Sequence, residues 1–136
     1  MTLVLTPAVL TLFLVGSDAL SEGLRAECSQ HALAIPHGAD LDCAERLHAL
    51  VRAGRLPDAE AQRALGLLDH MAIARFSPHP HLSRIWQLLP DLGPETASCA
   101  ALAESIEAEL LTLDPLPASG LSCSVRVLRS TSNAGA

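Results

Sequence analysis

The first fifteen residues, MTLVLTPAVLTLFLV from Met1 to Val15, carry no charged side chain. Such a run invites reading as an export signal or a membrane segment. No basic residue precedes it, Pro7 interrupts it early, and a bilayer needs about 20 apolar residues. Leu3-Val4-Leu5 is instead apolar without alternation, the pattern of a strand buried on both faces. The segment therefore reads as a buried strand followed directly by a buried helix, in a cytoplasmic chain without a membrane association. Leu12, Phe13, Leu14 and Val15 are more apolar than one helix face requires. The surplus suits either core packing or a contact with another subunit.

Four further runs repeat the strand pattern: Ala32 to Ile35, Ala72 to Phe76, Leu110 to Leu113, and Ser122 to Leu128. Between them lie helical spacings at i, i+3, i+4 and i+7, as in Leu82, Ile85, Trp86 and Leu89. Ala61, Ala64, Leu65 and Leu68 form a second such set, and Cys99, Leu102, Ala103 and Ile106 a third. Gly54 suits the end of a helix that starts near Gly38, and Pro57 with Asp58 and Glu60 the first turn of the next. Pro78 and Pro80 mark a break before the Trp86 helix, and Pro94 opens the one after it. Strands alternating with helices predict a three-layer α/β/α domain around a parallel sheet of about five strands. The domain covers residues 1–129, and the small, polar residues 130–136 read as a flexible tail.

Composition narrows the function classes. The chain has 136 residues, 49% of them hydrophobic and 18% charged, which excludes a disordered chain. The net charge is -6, with nine Arg and no Lys, so a surface dedicated to tracking phosphates is not expected. Aromatics are 2% and Tyr is absent, too few for a base-stacking platform. Cys28, Cys43, Cys99 and Cys123 form no CxxC pair, and they read as reduced structural thiols.

Ligands of open parallel sheets bind beyond the carboxyl ends of the strands. The residues there are Leu5-Thr6-Pro7, then Pro36-His37-Gly38-Ala39-Asp40-Leu41-Asp42, then Asp114. No glycine-rich phosphate loop is among them, which sets aside nucleotide binding of the Rossmann or P-loop kind. His79-Pro80-His81 is the one close histidine pair. It could chelate a transition metal, but prolines frame it and no acid is near in sequence, so a solvated loop is expected. Arg46, Arg52, Arg55 and Arg63 interleave with Glu45, Asp58 and Glu60, which predicts pairing within the helices on a solvated face. Asp40 reads as a first-turn charge.

The segments Leu3-Val4-Leu5-Thr6-Pro7-Ala8-Val9 and Ala39-Asp40-Leu41-Asp42-Cys43-Ala44 resemble a PIN domain of the VapC toxin type. So do His79 to Leu88, Thr96 to Glu104, and Leu111-Thr112-Leu113-Asp114. The likeness spans about residues 2 to 128. It implies a metal-dependent endoribonuclease of a toxin–antitoxin pair, a homodimer, and four carboxylates holding Mg2+ or Mn2+. The first acid of that pattern ends the first strand, and the second lies early in the third helix. The third precedes strand four, and the fourth follows it. Here those positions fall on Leu5, Asp42, Thr96 and Asp114, so two of four acids are kept. Leu5 cannot ligate, and a neighbouring Glu95 is about 100° of helix rotation away from Thr96. The expectation is an eroded PIN-like protein that binds a protein or RNA partner without cutting RNA. Asp42 and Asp114 would then be a vestigial metal site holding Mg2+ or Mn2+ weakly or not at all. An antitoxin-like protein or RNA is the partner such a homodimer would take, and DNA is not expected. The alternative is a working Mg2+- or Mn2+-dependent ribonuclease toxin. Without the resemblance, Asp42 and Asp114 read simply as a helix N-terminal acid and a turn residue.

Overall fold

The computed structural model describes residues 1–117 and 120–129, so the expected tail over 130–136 lies outside the described residues. Five strands, β1 (Thr2–Leu5), β2 (Ala32–Pro36), β3 (Ile73–Phe76), β4 (Glu109–Thr112) and β5 (Val125–Val127), form one sheet. Their order is β3-β2-β1-β4-β5, with every pairing parallel. The helices are α1 (Pro7–Val15), α2 (Ala19–Cys28), α3 (Ala39–Arg52), α4 (Asp58–His70) and α5 (Leu82–Ser105).

Strand alternation sorts the core into two layers, because successive side chains point to opposite faces. Leu3, Leu5, Leu33, Ile35 and Leu111 pack with α1 to α4 on one face. Val4, Ala34 and Leu110 meet Ala97, Ala100, Ala101 and Ala103 of α5 on the other. Four helices thus cover one face, and α5 covers the second with small side chains. Among the described residues no single helix is long and apolar enough to cross a membrane.

The N-terminal segment folds as its sequence suggests. Leu3, Val4 and Leu5 are wholly buried, and the Thr6 hydroxyl caps α1 by accepting from the Val9 amide at 3.4 Å. Leu12 to Val15 pack partly against the core, while Phe13, Leu14 and Val15 also line an open groove with Arg63 and Leu67. Gly16 ends α1 where a Cβ would meet the Ser21 hydroxyl at 1.9 Å, so the α1–α2 corner is closed to larger residues.

α5 is broken at Gly93, whose φ of 75° and ψ of 168° are not helical. Arg84 and Glu104 are twenty residues apart, about 30 Å along a straight helix. Their side chains nevertheless meet at 2.7 and 2.9 Å, so the chain doubles back at Gly93. The backbone amide of Ser122 also donates to Glu104 at 2.8 Å, joining the connection before β5 to the same carboxylate.

Some local expectations are corrected and others refined. The Leu82–Leu89 stripe does not face inward throughout: Trp86 is 75% exposed and Leu82 53%. His79–His81 forms a short 3-10 turn with His79 and Pro80 exposed, as a solvated segment should be. Asp40 is a first-turn charge of α3, as read, and it also pairs with Arg75 on β3 at 2.7 and 3.0 Å. Arg46 pairs with Glu95 of α5 rather than within its own helix. Those pairings join residues 35 and 49 positions apart, a separation that helical periodicity does not register. All four cysteines are free thiols. Burial pushes Cys99 up to about 12 and Cys28 up to about 11, which keeps both protonated and unreactive.

Candidate functional site

The sheet reverses its strand order at β1, between β2 on one side and β4 on the other. A crevice is expected beyond the carboxyl ends of the strands at such a reversal. A cavity of about 280 Å³ opens beside it, past the carboxyl ends of β1 and β2, lined by Pro7, Pro36, His37, Asp42, Glu95 and Cys99, with Ala39, Pro94 and Ser98. Three elements meet at it. Pro7 begins α1 after β1, and Pro36 and His37 leave β2 for α3. Pro94 and Glu95 stand just past the Gly93 break, at the first turn of the second half of α5.

Asp42 enters from the first turn of α3. Its carboxyl is held above the ordinary carboxylate value of 3.8, first by burial and then by repulsion from Glu95 and Glu45, while Arg46 partly offsets this. The two acids therefore sense each other across the cavity. Arg46, one turn beyond Asp42 on α3, reaches Glu95 at 3.2 Å. The Cys99 thiol faces the Leu5 carbonyl at 3.8 Å, closing the floor of the cavity.

The remaining positions of the four-acid pattern lie elsewhere. The Leu5 side chain is 0% exposed and packs with Leu3, Val9 and Leu111 in the core. Thr96 and Asp114 are not among the residues lining the cavity. Asp114 is exposed beyond β4, and its backbone carbonyl accepts from the Thr112 hydroxyl at 2.8 Å. The structure thus brings Asp42 together with Glu95 and not with Asp114. Sequence reasoning weighed Glu95 only as a substitute for Thr96. The break at Gly93, signalled by the Gly93-Pro94 pair, is what aims Glu95 inward.

The donor set is too small to enclose a divalent metal with protein ligands alone. Mg2+ and Mn2+ are held by several oxygen ligands, and two carboxylates leave most of the coordination to water. Among the described residues no group of three or more His, Cys, Asp or Glu side chains is placed to hold a metal ion. One of the two cavity acids is also already paired with an arginine.

No family model matches the chain. Curated relatives do: it is 34% identical over 82 residues to VapC ribonuclease Mb0985 of Mycobacterium bovis and to Ribonuclease VapC9 of Mycobacterium tuberculosis. The match covers 60% of this chain and 65% of each relative, just under two-thirds of their length. Among solved structures, VapBC2 from Rickettsia felis, bound to a DNA fragment from its promoter, superposes with a TM-score of 0.66. That likeness covers 95% of this chain and 100% of the other at 15% identity, so it is one of fold. With the sequence similarity over the matched stretch and the shared fold over nearly the whole chain, the chain is similar to VapC ribonucleases in sequence and to a VapBC structure in fold.

Proposed function

We propose that this chain is the VapC-like member of a toxin–antitoxin pair and acts by binding a protein or RNA partner rather than by cutting RNA. The observation that carries this reading is Leu5, whose apolar side chain fills core space where the first acid of the four-carboxylate pattern falls. Without that ligand, a metal held near Asp42 would not be fixed relative to a scissile phosphate, and small misplacements cost large factors in rate. Asp42 and Asp114 are in this reading a vestigial pair, with Mg2+ or Mn2+ held weakly or not at all. The VapBC2 neighbour supports an antitoxin as the protein partner. Since that complex is bound to promoter DNA, a promoter fragment belongs beside RNA among the probes for the paired complex. A cytoplasmic homodimer completes the proposal.

Two observations favour the second reading, a working ribonuclease. The curated relatives are named ribonucleases, and Glu95 supplies a second carboxylate to the cavity. Incubating labelled structured RNA with purified, partner-free protein in Mg2+ or Mn2+ separates the two. The binding reading expects no cleavage above that of Asp42→Asn and Asp114→Ala prepared in parallel. Metal-dependent cleavage that disappears in either variant would overturn it.

A further inference from the structure

Asp42 and Glu95 bring two carboxylates to the cavity from two different elements, and the chain's own Arg46 pairs with Glu95 just outside the lining. Asp42 and Arg46 are four residues apart on α3, so their side chains leave the same helix face one turn apart. Glu95 approaches from α5, and its Oε2 lies 3.2 Å from Arg46 Nη2. The Arg46 side chain is 45% exposed and that of Glu95 37%, so the pair sits at the mouth of the cavity rather than on its floor. Arg46 also acts favourably on Asp42, while Glu95 and Glu45 act against it. One guanidinium therefore serves two acids that would otherwise repel each other, which is the electrostatic task of a divalent ion between carboxylates.

We infer that the Arg46 guanidinium is the resident cation at the mouth of this cavity, and that it and a divalent ion exclude each other at the Asp42–Glu95 pair. The exclusion has two causes. A metal bridging the acids needs the Glu95 oxygen that Arg46 engages, and a divalent ion beside a guanidinium meets like-charge repulsion at close range. The inference rests on the reading of a site without a resident metal and adds its cause: besides the carboxylates missing at Leu5 and Thr96, an internal cation has taken the ion's place. It also explains why an acidic cavity persists in a chain whose acids do not assemble a metal cluster. A cavity of two carboxylates balanced by one arginine keeps a single negative charge and needs no ion from solution.

The test is thermal unfolding of the full chain in 10-fold serial steps of MnCl2, with NaCl at matched ionic strength as control. The proteins are the parent chain, Arg46→Lys, Arg46→Gln, and Arg46→Gln combined with Asp42→Asn. Arg46→Gln should gain about 3–5 °C when Mn2+ exceeds its dissociation constant about tenfold. The parent chain and Arg46→Lys, which keep a cation, should follow the NaCl control, and so should the double variant. Electron paramagnetic resonance titration of free Mn2+ gives the same comparison without unfolding, with affinity rising about tenfold or more in Arg46→Gln. If no protein responds to Mn2+, the inference is overturned while the non-cutting reading stands. If the parent chain and Arg46→Gln respond equally, the inference is overturned while the non-cutting reading, which allows a weakly held ion, still rests on the cleavage assay. A response that survives in the double variant places the ion elsewhere and overturns the inference alone.

Discussion

Leu5 closes β1 while Asp42 lies in the first turn of α3, past the end of β2, and the two show opposite uses of the carboxyl end of the sheet. Leu5 is fixed by its neighbours: β1 pairs with β2 and β4 on either side, and the side chain points into the layer packed under α1 to α4. Restoring an acid there would bury a charge with no cation beside it. Leu5→Asp should cost more than about 4 kcal/mol in urea unfolding, because an uncompensated buried charge is among the largest single-residue penalties. A loss below about 1 kcal/mol would mean that water reaches this position, and the argument against a metal ligand there would fail. The residue scale was legible in part. An apolar side chain at position 5 and an acid at 42 are plain in the sequence. The Arg46–Glu95 and Asp40–Arg75 pairs were not, because periodicity reports neighbours on one helix and these pairs join different elements.

Among the elements, strands were the easiest to read: β1 and β2 are short apolar runs covered on both faces, where alternation is absent for a physical reason, whereas β3 is an edge strand with Ala74 and Phe76 exposed. α5 was harder. Its two halves were visible in the spacing of Trp86 and of Cys99, and Pro94 marked the start of the second. Their folding back on each other was not, since it depends on the positive φ of Gly93 and on the Arg84–Glu104 contact. That contact should be acid-labile. Hydrogen bonds from Arg84 and Ser122 hold the Glu104 carboxyl below its ordinary 4.5. A carboxyl lowered on folding stabilises the fold above the unfolded value and loses that contribution as pH falls through the folded value. Glu104→Gln should therefore cost about 1.5–3 kcal/mol near neutral pH, the range for charge-assisted hydrogen bonds. The difference from the parent chain should shrink steadily below pH 4.5, as measured by denaturant unfolding across that range. A difference independent of pH would assign the loss to packing instead.

At the scale of the whole molecule, the chain follows the fold predicted from its alternating elements, and the strand-order reversal at β1 puts the cavity where parallel sheets commonly bind ligands. What the stripe of Leu82 and Trp86 would meet was not legible, because helical spacing shows that a face is apolar without saying what covers it. Both side chains stand largely in solvent on the first half of α5. A second copy of the chain is the occupant expected from the homodimer reading. Trp86→Arg should then shift sedimentation from dimer toward monomer with an unchanged circular dichroism spectrum, since the substituted side chain leaves no core contact. A dimer that persists in this variant would locate the interface on another face.

The reversal at Gly93 has a mechanical consequence. The two halves of α5 form a tweezer whose closed end is the turn carrying Pro94 and Glu95, and whose tips are joined by Arg84 and Glu104. The rim of the cavity is thus mounted on the pivot, the part of such a device that travels least when the tips part. Strain applied near Trp86 would be spent in spreading the tips, leaving the Glu95 rim nearly stationary.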